Sequence, residues 1–318
     1  MAKDGTKPSA GPARVKAKRV AALEAKLERL RDAFAAASPA PAGGLGPLLA
    51  FEPGMNLADI DPASTPGVRG GKPVGQAAVA LGVPRLSRLQ ERLYAEGQGG
   101  GERSLLLVVQ GMDTSGKGGI LRHVVGSMDP QGVRDVAFKA PTAQERDHDF
   151  LWRIRQHLPR PGEIGVFDRS HYEDVLVARV HDLVPRRVWG RRYATINRFE
   201  QGLVAKGTSL VKVMLHVSSQ EQKKRLAQRL ERPDKYWKYN PGDVDERARW
   251  QDYQTAYHYA LSRCSTPQAP WYVVPADHKW YARWAVQQLL IEQLETIDPR
   301  WPAAQFDVEV ERLRLAAT

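Results

Sequence analysis

The chain has 318 residues, 42% of them hydrophobic, and a formal net charge of +11. This length allows one large domain or two small ones with a sizeable core, and the absence of an 18-residue apolar run argues against a membrane-spanning protein. The charge calls for an anionic partner, which is nucleic acid, an anionic membrane or a polyanionic small substrate. The lone Cys264 excludes an internal disulfide, and Glu24 interrupts the only apolar stretch that follows the basic start. Together these features predict a cytoplasmic protein.

The N-terminal region reads as an extension of a catalytic core. Residues 1–19 are rich in Lys, Arg, Ala, Gly and Pro, which predicts a disordered basic tail. Residues 20–100 are assigned to a helical extension and linker, and residues 38–48, which are Pro-, Gly- and Ala-rich, to the linker itself. Its first helix is expected to pack on the core or on a second subunit through one apolar stripe, formed by Leu23, Leu27, Leu30 and Phe34.

From residue 103 onward the pattern alternates between strands and helices, which predicts an α/β core over residues 101–300 and a C-terminal tail over 301–318. Capping signals at Thr142, Ser219 and Asp243 predict the starts of three helices. In a parallel sheet of this kind, ligands bind beyond the carboxyl ends of the strands. The predicted strands are 103–109, 133–138, 163–168, 208–217 and 271–275.

The first predicted strand runs into a Gly-rich turn in which Gly111, Gly116 and Lys117 have P-loop spacing. Such a turn offers backbone N–H groups to phosphate oxygens, and the lysine brings positive charge to the transferred group. Gly118 stands where a hydroxyl would usually reach magnesium, whereas an acid, Asp113, lies inside the loop. The loop therefore predicts phosphoryl chemistry, and its candidate phosphate-binding residues are Gly111, Met112, Thr114, Ser115, Gly116, Gly118 and Gly119.

The third predicted strand ends in Asp168-Arg169, an arrangement similar to a Walker B motif. Asp168 is expected to bind magnesium or orient the acceptor, and Arg169 to contact phosphate. Asp113 and Asp168 would share the metal, because hard oxygen ligands suit Mg²⁺. His171, two residues further on, is a candidate substrate contact.

Two basic segments follow. Arg229, Lys235 and Lys238 are candidate phosphate ligands, with a solvated helix face as the alternative for such charge runs. Residues 181–206 carry several arginines and lie where nucleoside-phosphate kinases have a helical lid that excludes water. A plain surface helix pair is the alternative for that segment.

Three motifs together resemble the polyphosphate kinase 2 family: Gly111–Gly119, Phe167–Asp174 and Trp271–Asp277. The resemblance covers roughly residues 50 to 300. It implies a thymidylate-kinase-like P-loop fold, with a five-stranded parallel sheet flanked by helices and a helical lid. It also implies reversible transfer of the terminal phosphoryl group of inorganic polyphosphate to a nucleotide, with Mg²⁺ or Mn²⁺. The His171–Asp174 continuation resembles the single-domain subgroup that accepts both AMP and ADP.

The resemblance also implies residue roles and partners. By this resemblance, Asp113 orients the acceptor phosphate or its metal, and Lys117 binds the phosphates during transfer. Asp168 is the second acid, and Arg169 is its phosphate-binding neighbour. Arg229 and the 235–238 segment line the polyphosphate path. A polyanionic substrate accounts for the net charge without a membrane or a specific nucleic acid, and the N-terminal helix favours a homodimer or homotetramer.

Two other functions are compatible with the same residues. An ATP-dependent nucleoside monophosphate kinase has the same P-loop but needs no extended basic groove. A non-catalytic polyanion-binding protein would depend on the basic tail at residues 1–19.

Overall fold

The computed structural model describes residues 43–318, together with the helical positions 21, 24, 25, 28 and 29. The predicted basic tail, the apolar stripe of the first helix and the other residues up to 42 lie outside the described residues. Predictions that concern them therefore stay predictions.

A five-stranded parallel sheet forms the centre of the described structure, with the strand order β2-β3-β1-β4-β5. All seven residues of the central strand are buried, because a strand covered on both faces is an apolar run rather than an alternating one. The five predicted strands are confirmed to within one residue at each end. Their bounds are β1 Ser104–Gln110, β2 Val133–Ala137, β3 Ile164–Asp168, β4 Thr208–His216 and β5 Trp271–Pro275.

Helices flank this sheet. They are α1 Gly46–Leu49, α2 Lys72–Gln98, α3 Lys117–His123, α4 Ala143–Arg146, α5 Trp152–Arg155, α6 Val177–Val180, α7 Arg186–Val204, α8 Ser219–Glu231, α9 Gly242–Ala248, α10 Trp250–Cys264, α11 Lys279–Ile297 and α12 Val308–Ala316. One group consists of α11 with α2 and α3, and another of α7 with α10. Across the described ranges, each helix is too short or too polar to cross a lipid bilayer.

The long helix α2 packs closely along α11, so the region predicted as an extension is joined to the core. A Cβ atom at Gly75 would lie 1.8 Å from the Trp280 ring, and one at Gly82 would lie 2.4 Å from Gln287 Oε1. The two helices can approach this closely only because these positions lack side chains.

The linker prediction for residues 38–48 is wrong for its described part. Leu45 is fully buried, and the backbone N–H groups of Leu45 and Gly46 donate to Glu292 at 2.8 and 3.1 Å. Leu45 and Leu49 supply enough apolar surface to dock the segment on α11 and β5. The Pro, Gly and Ala content of the segment concealed these two leucines.

A helix begins near each of the three predicted capping residues, but the cap or the length of the helix differs from the prediction. Thr142 and Glu145 form the capping box, yet α4 ends after one turn. The cap of α8 is Ser218, not Ser219, and its hydroxyl accepts from the Glu221 N–H at 3.1 Å. The helix expected from Asp243 onward is interrupted at Arg249 and forms α9 and α10.

Candidate functional site

The P-loop joins β1 to α3 with a backbone that requires glycine. Gly111 has a φ of +152°, and Gly116 has a φ of +122°. A Cβ at Gly111 would lie 2.6 Å from Ser115 Oγ and 2.9 Å from the Leu215 carbonyl oxygen. The loop is therefore wrapped closely around its own first residue, as the glycine spacing predicted.

Lys117, the first residue of α3, folds back over this loop. Its Nζ donates to the carbonyl oxygens of Gly111 at 2.7 Å and Met112 at 3.4 Å. Met112 itself is buried, and it lines the smaller of the two cavities described below instead of the basic one. Among the described residues, the hydrogen bonds of the ammonium group go to neutral carbonyl acceptors, which do not compensate its positive charge.

Arg225 of α8 clasps the loop from behind. Its Nη1 donates to the carbonyl oxygens of Thr114 at 3.0 Å and Ser115 at 2.9 Å. Its Nη2 donates to the carbonyl oxygens of Ala276 at 2.6 Å and Asp277 at 2.9 Å, after β5. Because this buried guanidinium is bound by backbone, it shapes the P-loop. It also lines the cavity in front of the loop, as does Arg229 one turn later.

The two predicted acids line one cavity together with the P-loop. Asp113 accepts from Arg169 Nη2 at 3.0 Å. Arg169 adopts a left-handed φ of +64°, which is unusual for a residue with a side chain. Burial opposes the charge on Arg169, but the carboxylates of Glu173 and Asp113 outweigh it and raise the pKa of the guanidinium.

The acids also fit a magnesium ion. Within the described residues, no group of three or more His, Cys, Asp or Glu side chains is arranged to hold a metal. Mg²⁺, however, is typically bound by one or two carboxylates together with water and substrate phosphates. The buried Oδ1 of Asp168 has no hydrogen-bond partner among the described residues, so an oxygen ligand remains available. Asp113 and Asp168 are therefore the residues that would hold the ion.

A basic cavity of about 630 Å³ opens in front of the P-loop. Burial lowers the pKa of Lys279 and Arg283, and nearby arginines lower it further, because positive charges there repel one another. Charges held against this repulsion prepare the cavity for a polyanion. Besides Lys117 and Arg169, its cationic lining includes Arg122, Lys139, Arg229, Arg232, Lys235, Lys238, Lys279 and Arg283.

A smaller cavity of about 260 Å³ lies on the other side of Asp113 and Arg169, which also line it. Its remaining lining is acidic and aromatic rather than basic. Burial raises the pKa of Glu173 and of Asp243, and Asp113 raises that of Asp243 further. The residues with these properties are Glu173, Asp243, Glu246, Tyr253 and Tyr257.

The prediction that His171 contacts substrate is wrong in this structure. The side chain is fully buried, and its Nε2 lies 3.1 Å from Glu200 Oε1. After the left-handed Arg169, the backbone turns the His171 ring into the core instead of the cavity. Sequence proximity to Asp168 indicated the site but not the direction of the side chain.

The predicted lid segment, residues 181–206, contains α7, which packs on β4 and α10 through the buried residues Tyr193, Ile196 and Leu203. Its arginines are absent from the lining of the basic cavity, and Arg192 donates to the Asp174 carbonyl oxygen at 2.9 Å. The segment that borders the cavity with exposed side chains is 233–238, where Trp237 is 77% exposed. A lid at 181–206 stays a prediction.

Sequence reasoning missed several residues of the two cavities. Lys279 and Arg283 stand four apart at the start of α11, directly after β5, where the carboxyl-end rule would have pointed to them. Lys139 follows β2 in the same way. Tyr253 and Tyr257 carried no signal, because tyrosines at helical spacing usually belong to a core.

Comparison with known proteins agrees with the P-loop and the cation-lined cavity that the geometry shows. The family model described as Polyphosphate kinase 2 matches residues 72–302. The chain belongs to the polyphosphate kinase 2 family. The crystal structure of polyphosphate kinase 2 from Arthrobacter aurescens TC1 is 52% identical, with a TM-score of 0.85, over 89% of this chain and 98% of that one.

Two curated relatives of this family member have named activities. The AMP/ADP-polyphosphate phosphotransferase of Meiothermus ruber is 46% identical over 78% of this chain and 91% of the relative. The ADP-polyphosphate phosphotransferase of Rhodopseudomonas palustris is 44% identical over 69% of this chain and 79% of the relative. These similarities agree with the predicted P-loop kinase fold and extend over the whole described site.

Proposed function

We propose that this protein transfers the terminal phosphoryl group of inorganic polyphosphate to AMP and to ADP, giving ADP and ATP. The observation that carries the proposal is the position of Asp113 and Arg169 in the wall between two cavities of opposite character. One cavity is lined by cations and the other by carboxylates and tyrosines. A donor and an acceptor can therefore approach the same pair from two sides.

The basic cavity is the proposed polyphosphate site. Polyphosphate carries about one charge per unit, so a chain of several units needs cations well beyond the P-loop. Lys279 and Arg283 supply such cations. Burial and, after it, repulsion from nearby arginines lower their pKa values, and a bound polyanion would relieve that repulsion. An ATP-dependent nucleoside monophosphate kinase would need only the cations near the P-loop.

The smaller cavity is the proposed nucleotide site. Tyr253 and Tyr257 offer aromatic surface to a base, and the carboxylates of Asp243 and Glu246 can accept hydrogen bonds from ribose hydroxyls. The name of the Meiothermus ruber relative supports both AMP and ADP as acceptors.

The chemistry is an in-line transfer between phosphates. A phosphate oxygen of the nucleotide attacks the terminal phosphorus, and the bond to the bridging oxygen breaks, so the polyphosphate leaves one unit shorter and keeps that electron pair. Lys117 and the loop N–H groups stabilise charge on the transferred group, while Arg169 aligns Asp113. Mg²⁺, or Mn²⁺ in its place, would be held by Asp113 and Asp168 and would neutralise phosphate charge.

An initial-rate assay with polyphosphate as the only phosphoryl donor tests the proposal. Purified protein, Mg²⁺ and either AMP or ADP are expected to give the next higher nucleotide, and omission of polyphosphate abolishes the product. A protein lacking residues 1–19 is expected to keep this activity, which separates an enzyme from a binder that uses its basic tail. Nucleotide product only with ATP as donor, or no product at all, would refute the proposal.

The remaining predictions from the sequence concern the setting of this reaction. A cytoplasmic protein without a membrane or specific nucleic-acid partner, assembled as a dimer or tetramer, suits an enzyme with small soluble substrates. Light scattering of the purified full chain measures the assembly directly.

A further inference from the structure

A charged network lies in the core behind the turn that follows β3. Glu200 of α7 accepts from Lys212 Nζ of β4 at 2.6 Å, and both side chains are almost fully buried. Glu200 Oε1 also accepts from the Tyr172 hydroxyl at 2.8 Å and lies 3.1 Å from His171 Nε2. Two charges from different elements thus converge on two consecutive residues of one turn.

The hydrogen bonds of this network are complete for its charged members. Besides Glu200, Lys212 Nζ donates to the Tyr172 hydroxyl at 3.0 Å and to the Cys264 carbonyl oxygen at 2.7 Å, which uses all three of its protons. Burial alone would raise the pKa of Glu200, but Lys212 and His171 outweigh burial and lower it. The three acceptors around Lys212 Nζ and the donors around Glu200 are the partners that an ammonium and a carboxylate require.

Such a pair is a poor way to gain stability. Removing two charges from water costs as much free energy as their attraction returns, and well-packed apolar residues often stabilise a core equally well. Fixed geometry is what the ion pair adds, because each bond has a preferred length and direction.

The turn held by this network leads directly into the site. Arg169, which binds Asp113, has a left-handed backbone and stands two residues before His171. Strained conformations of this kind persist only where the surroundings determine them. The buried Ser170 fixes the turn on one side, since its hydroxyl accepts from the Tyr172 N–H at 3.2 Å and from Gln110 Nε2 at 3.3 Å. The Glu200 network fixes it on the other.

We infer that Glu200 and Lys212 are positioning residues for phosphoryl transfer: through His171 and Tyr172 they hold Arg169 against Asp113 in the wall between the two cavities. The inference rests on the proposed function and adds to it two residues that touch neither substrate. It predicts that turnover, rather than substrate binding, depends on the pair, because apart from Asp168 and Arg169 the P-loop and the basic cavity are built from other elements.

The test replaces both charges together, as Glu200→Leu with Lys212→Met, so that no unpaired charge stays in the core. At temperatures well below the melting temperature of the variant, kcat is expected to fall about tenfold or more, since small misplacements near the reacting groups are costly. The KM for polyphosphate is expected to stay near that of the wild type. Leu290→Ala, a buried change on α11, is the control that loses stability without losing kcat when folded.

A wild-type kcat in the folded double variant would overturn the inference and show that the pair serves stability alone. If the double variant does not fold, Tyr172→Phe removes one of the two links between the network and the turn, the Tyr172 hydroxyl, and leaves the His171 contact with Glu200 in place. This variant is expected to lower kcat severalfold at unchanged KM. Unchanged kcat in this variant would then overturn the inference. Transfer by the wild type is measured first, because its absence would refute the proposed function instead.

Discussion

The basic cavity and the buried Glu200–Lys212 network are two clusters of charge that differ in how the charge is balanced. In the network, each proton of Lys212 has an acceptor within 3.0 Å. In the cavity, Lys279 and Arg283 face other cations, and their pKa values are lowered by burial and by that repulsion. The first cluster is complete without a ligand, and the second is the one that we propose binds polyphosphate.

This difference indicates which of the two clusters is suited to a polyanion. Balanced charges fix the positions of elements, whereas partly buried cations that repel one another around a cavity indicate a site for an anionic ligand. Arg225 and Arg229, one helical turn apart on α8, are both balanced although both line the cavity: Arg225 donates to four backbone carbonyls, and Arg229 donates to Asp243 Oδ2 at 3.0 Å.

Removing the central unbalanced charge should have the largest effect. Lys117→Ala is expected to lower kcat about a thousandfold, because a positioned cation that stabilises transition-state charge is lost. Its melting temperature should stay near that of the wild type, since in the described part of the chain the hydrogen bonds of Lys117 go to loop carbonyls. Exposed Lys206→Ala is the control and should keep full activity. A kcat for Lys117→Ala near that of the wild type would show that transfer does not need an unbalanced cation at the P-loop.

The second-largest effect is expected at Asp168, whose Oδ1 has no hydrogen-bond partner among the described residues. Asp168→Asn is expected to lower kcat about a hundredfold, because an amide is a weaker ligand for Mg²⁺ than a carboxylate. Its thermal stability should equal or exceed that of the wild type, because among the described residues Asp168 Oδ1 has no donor to lose. Asp135→Asn, an exposed change on β2, serves as the control. A marked loss of stability in Asp168→Asn would show that the carboxylate has a structural role.

A cation at the edge of the basic cavity should affect binding rather than turnover. Arg283→Gln is expected to raise the KM for long-chain polyphosphate about tenfold, equivalent to about 1.4 kcal/mol, with kcat unchanged. The effect should shrink as salt is added, because salt screens the interaction. Arg314→Gln, on the exposed face of α12, is the matched control. An equal rise in KM for both variants would mean that net charge, not the cavity, matters.

The smallest expected effect is on folding. Because the pKa of Lys279 is lowered from 10.5 in the folded state, its charged form destabilises the fold below that lowered pKa, and the cost disappears as the pH rises towards 10.5. Lys279→Met should therefore have a higher free energy of unfolding than the wild type at neutral pH, with a gap that narrows at alkaline pH. Urea unfolding at several pH values measures it. A gap independent of pH would indicate packing instead of charge.

Much of the site was predictable from local patterns. Gly111, Gly116 and Lys117 identify the P-loop, because its backbone angles and its charge require those residue types in that order. The apolar run ending at Asp168 identifies the adjacent strand. His171 was misplaced, because two residues after a strand the direction of a side chain depends on the turn, and Arg169 turns the chain through a left-handed conformation.

The sequence by itself determined the sheet, the P-loop and the acids at the strand ends, because these depend on hydrophobic runs and on residues close together in the chain. Only the tertiary structure decided which cations are balanced. The sequence alone does not distinguish the roles of four cations, Arg225, Arg229, Lys279 and Arg283. Their roles differ because each has different neighbours in space: backbone carbonyls, carboxylates or other cations. Charge balance is a property of neighbours in space, and those neighbours come from elements far apart in the chain.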